Sequence, residues 1–329
     1  MEEFTRLPDL ASRAFGGGVV FASDEFFAAA DHLVLPSAPT YSPRTFGHKG
    51  QVYDGWESRR RRQPGQDVAI VRLGAPGVIH GVDINTAFFT GNFPPYASVD
   101  AVAVDGYPSP AALVEADWVP IVPKSPLAGD SSNLFTAEDR RRFTHVRLTI
   151  HPDGGVARLR VHGTVVPDPA LLPEVFDVAA MQYGADVAGC SDMFYGHPQH
   201  MLMPGLAQHM GDGWETARRR DDGNDWVIVR LAAPAEISLV DLDTSHFKGN
   251  APGSARLRGS DGSGEWFDIL PVTPLMPDTP HRFPVRAGRV ASQVRLDIFP
   301  DGGMARLRLL GRPVPGFLEE NLRRHAGER

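Results

Sequence analysis

Two kinds of segment in this chain combine carboxylates, amides and cations at spacings that suit acid–base chemistry. The first reads Asp-Gly-Trp-Glu, is closely followed by arginines, and occurs at residues 54–57 and again at 212–215. The second ends in Gly-Asn and occurs at residues 83–92 and 241–250. A carboxylate beside an arginine either transfers protons or directs the guanidinium towards an anion. A buried tryptophan with a surface ion pair would give the same first pattern, so both interpretations stay open.

The second segment differs between its two occurrences. His246 and Lys248 stand where the earlier occurrence has Phe88 and Thr90. If both copies only had to fold, the same residues would serve in each. An imidazole near a carboxylate such as Asp243 can pass a proton to a leaving nitrogen near neutral pH. His246 is therefore a candidate for catalysis, and a structural histidine is the alternative.

Metal chemistry has weaker support in the sequence. His197, His200 and His209 form a cluster with one His-x-x-His spacing, but a metal site needs a third ligand and oriented partners. Cys190 is the only cysteine, so neither an internal disulfide nor a cysteine-based zinc site is expected. The spacing does not support a divalent metal, and a single cysteine fits a reducing compartment.

Several function classes are disfavoured by motif and composition. The chain lacks the Walker loop, the dinucleotide G-x-G-x-x-G, H-E-x-x-H, G-x-S-x-G and C-x-x-C. Its net charge of −7 disfavours attraction to nucleic acid or anionic lipid. The apolar runs fall short of the ~18 residues that span a bilayer, and the sequence starts Met1-Glu2-Glu3 rather than with basic residues. We expect a cytoplasmic protein.

The chain contains an internal repeat, which determines its domain organisation. A constant spacing of 158 residues relates Asp54 to Asp212, and a spacing of 148 relates Asp153 to Asp301. The first copy therefore carries about ten extra residues, which we place around residues 107–116. A length of 329 residues fits two domains, expected at 1–168 and 174–329 with a linker around residue 170.

Periodicity indicates strands in both copies. Val146, Leu148 and Ile150 alternate with polar residues, and the same pattern recurs 148 residues later. Asp-Gly-Gly between two such runs predicts a hairpin turn with positive φ. Helices are predicted only at residues 136–143 and 317–325. Many short strands in units of about 150 residues favour an all-β fold of two tandem jelly-roll sandwiches.

The repeated motifs resemble those of a known family. The pairs DGWESRRRR with INTAFFTGN and DGWETARRR with LDTSHFKGN, each followed by DGG-x-ARLR, are similar to motifs of the allantoicase family. The resemblance implies two tandem jelly-roll β-sandwich domains of the galactose-binding-like type. It also implies hydrolysis of allantoate to ureidoglycolate and urea in purine degradation. The chain departs from the family pattern at Asn85, Ala217 and Ala251.

The resemblance, together with the chemistry of allantoate, suggests a role for each polar residue. Allantoate has a carboxylate on a carbon that bears two ureido groups, so its hydrolysis needs an anion site and a proton donor for the departing urea. We predict that proton transfer involves Glu215, Asp243 and His246. Substrate binding is predicted for Arg60, Arg218, Lys248, Asn250, Glu57, Asn92 and Thr86. No cofactor is predicted, and a homo-oligomer that binds a small-molecule substrate is expected.

Two alternative functions stay open at this point. Galactose-binding-like sandwiches often bind sugars without catalysis, so a lectin-like protein is one alternative. An enzyme that acts on a related ureide such as ureidoglycolate is the other. Product analysis after incubation with allantoate separates all three.

Overall fold

The computed structural model describes residues 2–286 and 288–326, and the chain divides into two compact units. Of the described residues, the first unit comprises 2–166 together with 324–326, and the second comprises 167–286 and 288–323. This division lies beside the predicted linker around residue 170. Each unit contains one copy of the repeat and is built mainly of antiparallel strands.

The first unit has eleven strands, one short α-helix and three 3-10 helices among the described residues. The strands are β1 Gly18–Ala22, β2 Phe46–Gly47, β3 Gly50–Gln51, β4 Trp56–Glu57, β5 Asp67–Asn85, β6 Tyr96–Val102, β7 Val119–Pro126, β8 Ser132–Thr136, β9 Arg142–His151, β10 Gly155–Val156 and β11 Arg158–Val165. The α-helix is α1 Pro110–Val114, and the 3-10 helices are Glu3–Arg6, Arg13–Phe15 and Ala30–Val34.

The second unit repeats this order with ten strands in its described part. They are β12 Phe176–Asp177, β13 Asp186–Cys190, β14 Trp214–Glu215, β15 Asp225–Asp243, β16 Ser254–Ser260, β17 Phe267–Pro274, β18 Pro280–Pro284, β19 Val290–Phe299, β20 Gly303–Met304 and β21 Arg306–Pro313. The α-helix is α2 Phe317–His325, and the 3-10 helices are Pro169–Leu171, Met181–Tyr183, Pro198–Leu202 and Met210–Asp212.

One long strand organises each unit. The first part of β5 pairs with β1 and β9, and its second part pairs with β8 and β11. The pairing register with β9 shifts between Arg72 and Gly77, so this strand changes neighbours part way along its 19 residues. The corresponding strand β15 does the same with β13, β19, β18 and β21. This antiparallel arrangement confirms the predicted pair of jelly rolls.

The predicted Asp-Gly-Gly hairpin is wrong. The strands on either side of it, β9 and β11, do not pair with each other but with different parts of β5. The turn instead leads into β10, which pairs with β4. Gly154 and Gly302 do have the predicted positive φ, at 140° and 130°.

One of the two predicted helices is correct. Helix α2 spans Phe317–His325, as predicted. Residues 136–143 do not form a helix, because Thr136 ends β8 opposite Gly81 of β5 and the chain then leads directly into β9. Tertiary strand pairing thus outweighed the local helix signal. Helix α1 lies in the extra segment between β6 and β7, which is the region where the insertion was placed.

The alternating residues of the strands form the core. Val146, Leu148 and Ile150 are all fully buried, as the period-two pattern predicted. Full burial of such a side chain contributes roughly 1.5–3 kcal/mol relative to exposure. Trp56 and Trp214 are also fully buried, at 0% exposure. Each tryptophan immediately precedes the glutamate of its Asp-Gly-Trp-Glu motif, so the core fixes the position of both glutamates.

Candidate active site

Each unit contains the same buried support beneath its glutamate. The indole Nε1 of Trp56 donates to the carbonyl oxygen of Asp24 at 2.8 Å, and Trp214 donates to Asp192 at the same distance. A tryptophan whose rings are buried and whose N–H is hydrogen-bonded has little freedom to move. The glutamate that follows is therefore held on a rigid two-residue strand.

The Asp-Gly-Gly motif provides the partner of that strand. Gly155 lies opposite Glu57 in the pairing of β10 with β4, and Gly303 lies opposite Glu215 in the pairing of β20 with β14. A Cβ atom at Gly303 would lie 1.9 Å from the ring of Phe247, which is impossibly close. Glycine is therefore required here by the approach of backbone to a buried ring rather than by backbone flexibility.

The glutamate and the Gly-Asn asparagine meet in both units. Asn92 Nδ2 donates to Glu57 Oε1 at 2.7 Å, and Asn250 Nδ2 donates to Glu215 Oε1 at 2.6 Å. The sequence motifs that contain them are separated by more than 20 residues, yet the fold joins them twice with nearly equal geometry. The duplicated glutamate–asparagine pair is therefore a built feature of this fold, and it leaves the second carboxylate oxygen for other partners.

The two glutamates have different surroundings. Burial raises the pKa of Glu57, and the hydrogen bond from Asn92 only partly offsets this. Tyr53 lies near this carboxylate and stacks on Phe89 at 4.9 Å and on Tyr41 at 5.9 Å. The aromatic rings thus form an apolar flank beside the first glutamate. In the second unit, the Nδ2 of Asn250 also lies 3.8 Å from the sulfur of Met210.

The arginines after the glutamates divide into paired and unpaired side chains. Arg61 contacts the buried carboxylate of Asp67 at 3.1 Å, and Arg219 contacts Asp225 at 2.7 Å. These two guanidinium groups therefore serve the fold. Arg60 makes no hydrogen bond or ion pair within the described residues, and it lines a cavity of ≈ 460 Å³ bounded by Ser23, Asp24, Arg59, Arg60, Arg61, Arg62 and Asp67.

The second unit also contains arginines that are unpaired among the described residues, Arg218 and Arg220. Arg218 is exposed and makes no hydrogen bond or ion pair in the described part of the chain. The preceding residue is Ala217, whose backbone N–H donates to Asp192 Oδ2 at 2.5 Å. In the first unit Arg59 occupies this place and forms an ion pair with Asp24 at 2.6 Å. The predicted substrate-binding arginines, Arg60 and Arg218, are thus among those left unpaired within the described residues, together with Arg62 and Arg220.

His246 occupies a constrained backbone position. Its φ is 73°, and its backbone N–H donates to Asp278 Oδ1 at 2.7 Å. The imidazole Nε2 lies 3.0 Å from the carbonyl oxygen of Ala207. Because a carbonyl only accepts, this contact places the ring proton on Nε2 in the neutral imidazole and leaves Nδ1 as an acceptor. The ring is half-buried rather than enclosed in the core.

One loop connects the histidine with the glutamate–asparagine pair. Ala207 accepts the imidazole contact, and Met210, three residues further along, contacts Asn250. Asn250 in turn holds Glu215. The segment from Ala207 to Met210 therefore contacts His246 directly and is linked to Glu215 through Asn250.

Asp243 is not joined to His246 by a hydrogen bond or ion pair within the described residues. Its Oδ1 accepts the backbone N–H of Ser245 at 2.8 Å, and it lies directly opposite Arg306 in the pairing of β15 with β21. Burial lowers the pKa of Arg306, as does Arg308, while Asp212 and Asp243 act in the opposite direction. Asp243 therefore supports a turn and faces a buried arginine, and its role in proton transfer stays a prediction.

In the first unit, the charge of the equivalent buried arginine, Arg158, is compensated differently. Arg158 is 1% exposed and contacts Asp54 Oδ2 at 2.9 Å. The residue opposite it on β5 is Asn85, which carries no charge. Asn85 still accepts a backbone N–H, from Ala87 at 2.8 Å. The asparagine–aspartate difference between the copies thus accompanies a difference in the ion pairing of this arginine.

Two other residues predicted to bind substrate, Thr86 and Lys248, differ in their exposure to solvent. Thr86 is fully buried, and its hydroxyl donates to Ala128 at 2.7 Å and accepts from Ser131 at 3.2 Å. It holds two loops together and has no surface to offer a substrate, contrary to the predicted role. Lys248 is exposed, with its Nζ 3.9 Å from Asp278 Oδ2.

The histidine cluster does not assemble as a group. The rings of His197 and His200 lie 6.4 Å apart, and His209 lies 3.6 Å from Asp212 on an exposed loop. Among residues 2–286 and 288–326, no group of three or more His, Cys, Asp or Glu side chains has an arrangement that could hold a metal ion.

Sequence reasoning assigned no role to two acidic residues and two arginines that shape this region. They are Asp130, Asp278, Arg158 and Arg306. A signal was present, because Asp130 and Asp278 are related by the same 148-residue spacing as the Asp-Gly-Gly motifs. Both lie in loops without a local pattern, so only their contacts reveal what they do.

Comparison with known proteins identifies the family. The model of the allantoicase repeat matches residues 8–166 and 176–314. A probable allantoicase of Nocardia farcinica is 59% identical over 94% of this chain and 95% of its own length. A probable allantoicase of Streptomyces coelicolor is 47% identical, over 94% of this chain and 86% of its own.

A solved structure agrees with the sequence comparisons. The crystal structure of allantoicase from Saccharomyces cerevisiae matches with a TM-score of 0.82 and 34% identity, and the match covers 94% of this chain and 96% of that one. A second allantoicase structure matches with a TM-score of 0.81 and 35% identity, covering 93% of each chain. The chain therefore belongs to the allantoicase family.

Proposed function

We propose that this protein is a hydrolase that converts allantoate and water into ureidoglycolate and urea. The observation that carries this function is 59% identity to a probable allantoicase over nearly the whole of both chains. The match extends across both repeats, so it includes both glutamate–asparagine pairs. The reaction belongs to the allantoin branch of purine degradation.

The second unit supplies the proposed proton-transfer groups. Hydrolysis breaks one carbon–nitrogen bond, with a proton going to the departing urea nitrogen and a hydroxyl from water going to the carbon. We assign these proton movements to Glu215 and His246, which are linked to the same loop. General acid–base catalysis of this kind contributes about 10²–10⁴-fold to a rate.

Substrate orientation is assigned to two cations and one amide of the second unit. Arg218 is the proposed partner of the substrate carboxylate, because its planar guanidinium matches two carboxylate oxygens and the protein leaves it unpaired. Lys248 and Asn250 are proposed to orient a ureido oxygen and nitrogen. Asp243 acts on this site through Arg306 and the turn at Ser245.

The first unit carries a related constellation with different electrostatics. Glu57 and Asn92 repeat the pair of the second unit, and Arg60 provides an unpaired guanidinium. Because burial raises the pKa of Glu57, its protonated form persists to higher pH than that of a solvated glutamate. We propose that these three residues contact substrate rather than transfer the decisive proton, since this copy lacks a counterpart of His246.

Replacement of His246 tests the residue assignment. We expect H246A to lower kcat for urea release by about 10²–10⁴-fold while the circular dichroism spectrum stays that of the wild type. H209A removes an exposed imidazole of the same unit and serves as the matched control, with turnover within about threefold of wild type. Near-normal urea release by H246A would remove this histidine from the mechanism.

Product analysis tests the function itself. The wild-type enzyme is incubated with allantoate, with and without a chelator, and urea and ureidoglycolate are quantified. Equal amounts of both products are expected. If allantoate stays intact while a parallel incubation with ureidoglycolate consumes that compound, the protein is an enzyme of a related ureide and the proposed reaction is wrong.

We also propose a cytoplasmic location and a homo-oligomeric state. No helix in the described ranges is long and apolar enough to cross a membrane. The single cysteine supports a reducing compartment. Exposed apolar side chains near the candidate site of the second unit support self-association. Among them are Phe194 and Leu206, at 70% and 77% exposure. Light scattering coupled to size exclusion measures the oligomer mass, and a mass of 35.8 kDa would contradict the proposal.

A further inference from the structure

One contact between an aspartate and a backbone N–H recurs in both units. The carboxylate Oδ1 of Asp278 accepts the backbone N–H of His246 at 2.7 Å. In the first unit, Asp130 Oδ1 accepts the backbone N–H of Phe88 at the same 2.7 Å. Both acids lie in the loop that precedes the strand paired to the second part of β5 or β15. The contact is therefore part of the repeated scaffold.

The contact fixes residues in an uncommon backbone conformation. The φ angles are 73° at His246 and 67° at Phe88, and they are 51° at Asp278 and 49° at Asp130. Non-glycine residues in the left-handed region are uncommon, and holding one there costs on the order of 1–3 kcal/mol. A charge-assisted hydrogen bond to the backbone N–H is strong enough to offset such a cost.

A second set of bonds joins the same two loops. Asp278 donates its own N–H to the carbonyl of Phe247 at 3.1 Å. Thr244 donates its hydroxyl to Thr279 at 3.0 Å and to Met276. The loop carrying His246 is therefore fastened to the loop of Asp278 on both sides of the histidine. Movement of one loop requires movement of the other.

Only the second unit places reactive side chains on this scaffold. There the residue with positive φ is His246, whose Nε2 reaches the Ala207 carbonyl at 3.0 Å, and Lys248 lies 3.9 Å from Asp278 Oδ2. The first unit has Phe88 and Thr90 at these positions. We propose that Asp278 is a positioning residue for the hydrolysis, acting through His246. This inference rests on the proposed function.

The mechanism of positioning follows from the backbone bond. With its N–H held by Asp278, His246 keeps the left-handed conformation from which its ring reaches Ala207. That second contact sets the ring proton on Nε2 and leaves Nδ1 free to exchange a proton with the reacting groups. Without the carboxylate, the backbone returns to an ordinary conformation, the ring leaves Ala207, and the tautomer is no longer fixed.

The two copies provide a matched pair of variants. D278A and D130A remove the same bond from equivalent loops, but only D278A releases a histidine. We expect D278A to lower kcat by about 10–100-fold with KM within about threefold, because ring placement affects the transition state more than binding. D130A is expected to stay within about threefold of wild type in both constants.

Conservative replacement separates the hydrogen bond from the charge. D278N keeps an Oδ1 acceptor for the His246 N–H and is expected to recover kcat to within about threefold of wild type. D278S keeps a polar side chain but carries its oxygen one bond closer to the backbone, away from the His246 N–H. It must show the same loss in kcat as D278A. The double variant H246A/D278A is expected to be no slower than H246A alone, since the two residues act as one unit.

A spectroscopic readout is independent of turnover. The ring nitrogen shifts of ¹⁵N-labelled histidine, assigned by comparison with H246A, report which nitrogen carries the proton. The wild type is expected to show the Nε2–H form at His246, D278A a mixture of tautomers, and D278N the wild-type pattern. This measurement tests ring placement even if the substrate has been misassigned.

Distinct results would overturn the inference and the proposed function. Equal losses of kcat in D278A and D130A would show that the contact only supports the fold. A loss of kcat from D278A of the same factor in the H246A background would show that Asp278 does not act through the histidine. By contrast, a wild-type enzyme that releases no urea but shows the expected tautomer change in D278A would refute the proposed function alone.

Discussion

Replacement of Asp243 by asparagine separates a structural role from a catalytic one. Asn keeps an Oδ1 that can accept the Ser245 N–H, so the turn survives and only the negative charge is removed. That charge lies opposite Arg306, a residue that is 5% exposed. Arg306 donates to carbonyl oxygens of Gly205 at 2.9 Å and Asp212 at 2.6 Å, without a carboxylate within 4.0 Å in the described chain.

The expected loss of stability follows from the electrostatics of this pair. Two unit charges on cross-strand neighbours, about 7 Å apart at an effective dielectric constant of about 20, attract by about 2 kcal/mol. Asp212 also compensates Arg306, so about 2 kcal/mol is the upper end of the expected change. We predict that D243N lowers the free energy of unfolding by about 1–2 kcal/mol.

Urea unfolding followed by tryptophan fluorescence measures this change. A shift of the midpoint with an unchanged slope reports stability alone. The matched control is N85D, which adds a carboxylate opposite Arg158, an arginine that Asp54 already pairs at 2.9 Å. Because its guanidinium is already compensated, N85D is expected to change stability by less than about 1 kcal/mol.

Turnover of D243N at a temperature well below unfolding completes the test. If Asp243 acts through Arg306, kcat falls by less than about tenfold and the loss of stability is the main effect. A D243N enzyme of wild-type stability whose kcat falls by 10³-fold or more would refute this reasoning. It would return Asp243 to the role of a proton-transfer group.

Two further predictions concern the packing and the pH dependence of the second unit. G303A is expected to lower the free energy of unfolding by about 3 kcal/mol or more, because its Cβ would lie 1.9 Å from Phe247, whereas G249A, with nothing within 4 Å, should change it by under about 0.5 kcal/mol. Burial raises the pKa of Asp177 from 3.8 to about 6, so the folded state binds this proton more tightly than the unfolded state. The free energy of unfolding of the wild type should therefore fall by up to about 3 kcal/mol as pH rises from about 4 to above 6. Urea titrations across this range should show that the free energy of unfolding of D177N depends less on pH.

Prediction from sequence succeeded where a signal is local or duplicated. The alternation at Val146, Leu148 and Ile150 depends on the pleat of a single strand, so it identified buried positions correctly. The end signals of helix α2 also lie within the helix itself. Alignment of the two repeats singled out Glu57 and Asn92 individually, and the structure adds that they meet at 2.7 Å.

Prediction failed where the outcome depends on a distant strand. Alternation shows which face of β9 is buried but not which strand lies beside it, so the Asp-Gly-Gly turn was interpreted as a hairpin. Residues 136–143 carry local helix signals, yet Thr136 pairs with Gly81. Backbone hydrogen bonds to β5 satisfy this segment, and the local preference is too weak to compete.

The sequence by itself determined that the protein is two copies of one β-rich unit and that polar residues recur at fixed places in both. The tertiary structure decided which of those residues have partners. Arg61 forms an ion pair with Asp67, whereas Arg60 makes no ion pair or hydrogen bond within the described residues. These two arginines are neighbours in the chain. Hydrogen bonds and ion pairs require contact within a few ångströms, and in a jelly roll the contacting groups come from strands and loops far apart in sequence.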